Sequence, residues 1–161
     1  MNFLSQAVRI PRRSLLKRAQ DPAFTTRLEL NERLWKLGQG TAWWQRFGIW
    51  ITLYRGKKAV AMAGISPANV PWGPMIAYVV DRRERGKGYG EIVSVRAAIM
   101  AIGKHKRFFI AARIDNVPSM RVIVAVVGAL KVLYGKRLKS AIVFDAPRGD
   151  PPNMVVKVWL D

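Results

Sequence analysis

At 161 residues the chain is one domain's worth, and 28 Lys and Arg against 10 Asp and Glu give it a formal charge of +18. Its 50% hydrophobic content excludes a disordered basic tail and points to a folded protein that attracts anions. With no cysteine and one histidine, His105, disulfides, thiolate nucleophiles and Cys-based metal sites are excluded, and a Ser/His/Asp triad has almost no material. No metal site is expected.

Residues 1–24 form a basic arm or first helix, with Arg9, Arg12, Arg13, Lys17 and Arg18 and no acid before Asp21. This start lacks the apolar core of a secretory signal. An Arg-rich, acid-poor start also suits an organelle transit peptide, but the plain reading is a basic helix on a soluble, cytoplasmic protein. The longest apolar stretch, 122–130, is too short for a membrane span.

Up to about Gly48 the chain reads as helical and irregular, with Leu28, Leu30, Leu34, Trp35 and Leu37 near helical spacing and Gly38 and Gly40 ending the run. Residues 48–54 and 59–65 read as two strands of a hairpin, joined by Arg-Gly-Lys-Lys. A turn-rich connection at 67–74 leads to a strand at 75–81. A helix is predicted over 91–102, where Ile92, Val95, Ile99 and Ile102 share a face. Residues 107–114 form the next strand. Pro118 or Ser119 opens a short helix toward Gly128, poor in propensity because of its valines. Strands at 141–145 and 154–160 flank a Pro-rich loop. The order predicts one α/β domain, residues 1–161, around a mixed sheet. Trp35, Trp50 and Trp159 read as core, and Trp43 and Trp44 as core or lid packing. The Arg148, Gly149, Asp150 triplet reads as a chance turn.

The informative segment is V-D-R-R-E-R-G-K-G-Y-G, residues 80–90, between a strand and a helix. A helix N-terminus offers unpaired amides and the positive end of its dipole. Gly86, Gly88 and Gly90 permit close approach of a ligand, and Arg85 and Lys87 add charge. The pattern suits a phosphate or pyrophosphate. It is not the dinucleotide fingerprint, because Glu91 stands at the third glycine, and it is not an ATP-type P-loop.

The segment resembles motif A of the GCN5-related N-acetyltransferases, the GNAT superfamily, with Arg85, Gly88 and Gly90 at its fixed positions. Asn116 and Ser119, then Gly128 and Ala129, resemble the family's later Asn-x-x-Ser and Gly-Ala segment, and the likeness covers roughly residues 48–130. The resemblance implies a mixed, mostly antiparallel sheet flanked by helices, with a V-shaped splay after the fourth strand. It implies acetyl-CoA as co-substrate, its pyrophosphate on the loop of Arg85, Gly86, Lys87, Gly88, Tyr89 and Gly90. The pantetheine would pair with the main chain near Val80 and Arg82, and an amide near Tyr78 would face the thioester. Asn116 and Ser119 would lie on the pantetheine or acceptor side. The implied activity is acetyl transfer to an amine by direct attack in a ternary complex.

That reaction needs a base for the amine and an acid for the departing thiolate. The family's usual acid position is Ile123, and the interval from Asn116 to Gly128 is one residue longer than usual. Tyr134 is the candidate substitute. A common base position is Pro74; Asp81 and Asp115 are the candidate carboxylates, and a water-relayed path needs neither. The runner-up is a GNAT-fold protein without catalysis, a basic binding or structural module of the kind bacteriophages carry. A third reading is a plain nucleic-acid-binding domain. The charge disfavours a polybasic acceptor and favours an amine in an acidic context, on a protein surface or on RNA. A monomer or homodimer is expected.

Overall fold

The structure is a computed structural model and describes residues 12–38, 47–68, 73–145 and 153–161. Trp43, Trp44 and the 148–150 triplet lie outside the described residues. Helix α1, Arg12–Ala19, leads through a tight turn to strand β1, Phe24–Arg27, and helix α2, Glu32–Gly38. The hairpin follows as β2, Ile49–Arg55, and β3, Lys58–Ile65. Strand β4 is Met75–Val80, helix α3 Tyr89–His105 and strand β5 Arg107–Arg113. Helix α4, Val117–Tyr134, precedes strands β6, Leu138–Asp145, and β7, Asn153–Leu160.

The seven strands form one sheet in the order β1-β2-β3-β4-β5-β7-β6, antiparallel except for the β4–β5 pair. One face carries the larger core, where Ile51, Leu53, Ile65, Ile76, Phe108 and Ile110 meet α1, α3 and α4. The other carries Met62, Ala77 and Val79 under Leu34 and Trp35 of α2. Helix α3 is buried nearly all round, through Ile92, Val93, Val95, Ala98 and Ile102. Such a helix must lie between other layers, and this one fixes the loop that precedes it.

Four expectations need correcting. The N-terminal region contains β1, which pairs antiparallel with β2. Its four residues, Phe-Thr-Thr-Arg, are too few to signal a strand, and Leu28 and Leu30 are exposed between elements. The short helix expected at 118–128 is the 18-residue α4. Burial of Val122, Ile123, Val126, Ala129 and Leu130 overrides the low propensity of its valines. That length also alters the membrane reading: by length and composition Val117–Arg137 is apolar enough to span a bilayer, at mean hydropathy 1.7, although one face packs against the core. Finally, Trp35, Trp50 and Trp159 are all partly exposed; the first two pack against the smaller core, and Trp159 does not.

Arg96, half-way along α3, holds the N-terminal elements against it. Its guanidinium donates to the carbonyls of Ala19 (2.7 Å), Phe24 (2.8 Å) and Asp21 (3.1 Å) and to the hydroxyl of Thr26. It thereby satisfies the Ala19 carbonyl that the end of α1 would leave unpaired and reinforces the turn, whose Asp21 carbonyl also accepts from the Phe24 amide (3.1 Å).

Candidate cofactor loop

The loop begins where β4 ends. The Asp81 carboxylate accepts from the Arg83 amide (3.1 Å), starting a 3-10 turn at Arg82–Glu84, and pairs with Arg33 of α2. Glu84 is buried, at 7% exposure, inside a basic segment. Lys58 of β3 and Lys87 of the loop, the latter at 2.8 Å, both donate to it. These two partners hold the Glu84 carboxyl below the usual carboxylate range. Lys87, itself exposed, is thus tied to Glu84 within the loop, while Arg82 and Arg85 are exposed with no ion-pair partner among the described residues.

Gly86 and Gly88 have φ of +77° and +82°, which disfavours any L side chain. Gly88 is the N-cap of α3 and supplies no side-chain cap, so among the described residues the first-turn amides of the helix have no side-chain acceptor. Gly90 serves packing instead: a Cβ there would lie 2.8 Å from Tyr78 Cε2 and 3.3 Å from Val80 Cγ2. Its absence lets α3 lie directly on β4. Tyr89 turns its ring into the core, edge-on to Phe24, where its hydroxyl accepts from Arg55 (3.1 Å). Only its main chain is available to a ligand at the loop.

Sequence reasoning missed the arginine that covers this loop. Arg18 of α1 donates to the Lys87 carbonyl (2.8 Å), and its guanidinium nitrogens lie 2.8 and 3.0 Å from the point where a Gly88 Cβ would stand. It was legible only as one of several basic residues near the N-terminus. Beside it, Glu91 is half-buried; burial pushes its carboxyl up and Arg18 opposes that shift.

Strands β4 and β5 pair only at Met75 with Phe109 and Ile76 with Ile110. Beyond Ile76 the two strands part, and among the described residues β4 has no strand neighbour on that side: this is the expected splay. The hydroxyls of Tyr78 and Ser119 meet across the opening at 3.1 Å, joining β4 to the first turn of α4. Burial raises the Tyr78 hydroxyl above its ordinary value. Asn116 caps α4 by accepting from the Ser119 amide (3.3 Å), so its side chain has a structural role at the same edge. The fold thus brings Tyr78, Val80, the Arg82-to-Gly90 segment, Asn116 and Ser119 to one end of the sheet.

The three acid–base candidates fare differently. Tyr134 is the last residue of α4, not a strand aromatic, and fifteen residues of helix put it about 22 Å from Ser119. It packs against the core. Asp115 is exposed and held by Arg113 through two hydrogen bonds of 3.0 and 2.8 Å, which lower its carboxyl. Asp81 is lowered chiefly by its hydrogen bond from Arg33. A base acting near neutrality needs the opposite shift. Ile123, at the usual acid position, is buried in the core.

A glycine loop with two left-handed residues, an uncapped helix and a parted strand pair agrees with the sequence comparison. The profile of the acetyltransferase (GNAT) family matches residues 13–128. The chain belongs to the GNAT acetyltransferase family. No curated protein matches the sequence significantly. Among solved structures, a Bacillus subtilis acetyltransferase in complex with CoA is similar at TM-score 0.59 and 13% identity, covering 85% of this chain and 97% of that one. A Vibrio cholerae spermidine N-acetyltransferase, solved with CoA and spermine, gives 0.58 at 9% identity over 87% and 96% of the two chains. A Salmonella typhimurium protein solved with acetyl-CoA as its cofactor gives 0.55 at 13% over 86% and 95%. At these identities the likeness is one of fold, and it places this GNAT chain in the family architecture.

Proposed function

We propose that this GNAT protein is an N-acetyltransferase that takes the acetyl group of acetyl-CoA to an amine acceptor in an acidic context, on a protein surface or on RNA. The observation that carries the reading is the Gly86-to-Gly90 loop: left-handed glycines, a helix N-terminus with no side-chain cap, and Arg82 and Arg85, with no ion-pair partner among the described residues, fit a diphosphate. Arg18 adds a guanidinium from outside the loop. Acetyl-CoA supplies an activated thioester when bound. The main chain of β4 beyond Ile76 is left without a partner on the β5 side, which suits an extended pantetheine arm. The Tyr78 and Ser119 hydroxyls are polar groups at that opening, and burial keeps the Tyr78 proton in place at neutral pH.

Neither lowered carboxylate suits a base, and a water-relayed path needs neither. The charge of +18 repels polycations and draws acidic acceptors at low salt. A second reading has one specific observation in its favour: the buried Ile123 at the acid position suits a protein that binds acetyl-CoA without turning it over. Thiol release from acetyl-CoA, followed with a panel of amines that includes aminoacyl-tRNA and acidic proteins, separates the two. Acceptor-dependent release supports the enzyme; tight binding with no release for any acceptor supports the second reading.

A further inference from the structure

The end of the sheet away from the glycine loop carries basic groups that the cofactor reading does not use. Strand β5 is parallel to β4, so its first residue, Arg107, lies seven strand residues, roughly 20 Å, from the end where the loop sits. Trp159 of β7 pairs with Arg107 on one side and with Lys139 of β6 on the other. Paired residues point to the same face, so a cation, an indole and a cation form a row across three strands.

Lys157, two residues back on that face, has its ammonium 5.2 Å from the Trp159 ring centroid. Main-chain bonds tie in two flanking segments: Leu160 donates to the Lys106 carbonyl (2.9 Å) and Asp161 to that of Arg137 (3.0 Å). Across residues 104–107, 135–139 and 157–161 the one acid is Asp161, 3.5 Å from Lys139. Lysines at the end of α3 complement its dipole, but that argument does not reach Arg107 and Lys139 on the strands. His105 registers the accumulated charge: burial first, then Lys104 and Arg107, push its imidazole below the ordinary value.

We propose that Arg107, Trp159 and Lys139, with Lys157 beside them, bind single-stranded nucleic acid. The guanidinium and ammonium groups meet phosphates, and the partly exposed indole offers a surface for a base. An acidic protein would use the charges but has no need of the ring. The inference stands apart from the acetyl-transfer reading, since the two sites lie at opposite ends of the sheet.

The test is fluorescence anisotropy of the full chain with a labelled single-stranded RNA of about a dozen nucleotides. The double variant Arg107→Gln/Lys139→Gln is expected to lose about tenfold in affinity and to flatten the log–log salt slope by about 1.4, for two lost phosphate contacts. Lys36→Gln/Lys57→Gln removes equal charge elsewhere and is expected to change binding about twofold at most. Trp159→Leu should weaken RNA but not polyglutamate. The ring signals of His105, the chain's one histidine, should move on RNA addition, and saturating acetyl-CoA should leave binding unchanged. Equal losses in the two double variants, competition by acetyl-CoA, or polyglutamate binding as tight as RNA would each overturn the proposal.

Discussion

Arg18 occupies the space that a side chain on residue 88 would need: its Nη1 lies 2.8 Å from the position of a Gly88 Cβ while its Nη2 holds the Lys87 carbonyl. A helix 69 residues away in sequence thereby contributes a cation to the glycine loop. Substitution Arg18→Ala is expected to lower acetyl-CoA affinity about tenfold, the value of one charge-assisted contact, with little change in melting temperature. Calorimetry on the variant checks this, and unchanged affinity would assign Arg18 to bracing alone.

The position of Arg18 depends in turn on Arg96, which binds the end of α1 and the following turn. Arg96→Ala leaves the Ala19 carbonyl without its side-chain donor and loosens the turn, and is expected to cost on the order of 3 kcal/mol. Denaturant unfolding of the variant measures the loss, and the Arg18-dependent part of cofactor affinity should fall with it.

Glu84 makes the loop sensitive to acid. Its folded-state carboxyl lies below the ordinary value of 4.5, so the stability it contributes is present above that pH and is lost as the pH falls through the lower, folded value. Glu84→Gln should therefore lower the melting temperature at pH 7, and the gap to the parent protein should close progressively below pH 4.5. A gap that stayed constant with pH would show that packing, not charge, is what the substitution removes.

Tyr134→Phe is expected to leave turnover nearly unchanged, because its hydroxyl sits at the far end of α4 from the splay. Steady-state rates on the variant decide the matter. A loss of about a hundredfold, within the range of general acid–base catalysis, would make it the acid.

Much of this architecture was legible because its signals are local. The hairpin, β4, α3 and β5 follow from runs of apolar residues and from their glycine punctuation. The loop follows from three alternating glycines before a helix. What the sequence hides is long-range. Nothing local distinguishes Arg18 or Arg96 from other basic residues, because their partners are carbonyls brought near by folding. Strand β1 is too short to show a period, and its pairing with β2 stabilises it. Helix α4 is longer than its valines suggest because the core rewards their burial. The carboxylate candidates show the same limit: Asp81 and Asp115 are chemically suitable in sequence, and only the fold reveals the arginines that hold them.

The most direct test of the loop as the cofactor site is calorimetric titration with acetyl-CoA at moderately high salt, beside ADP and the Gly88→Val variant. High salt suppresses the weak attraction that a chain at +18 has for any polyphosphate. Valine at φ +82° is strained and its Cβ displaces Arg18, so the variant is expected to lose specific binding while remaining folded. Acetyl-CoA binding well above the ADP level, abolished in Gly88→Val, is the predicted result. Binding no stronger than ADP, or a variant that binds as the parent does, would contradict the assignment of the glycine loop.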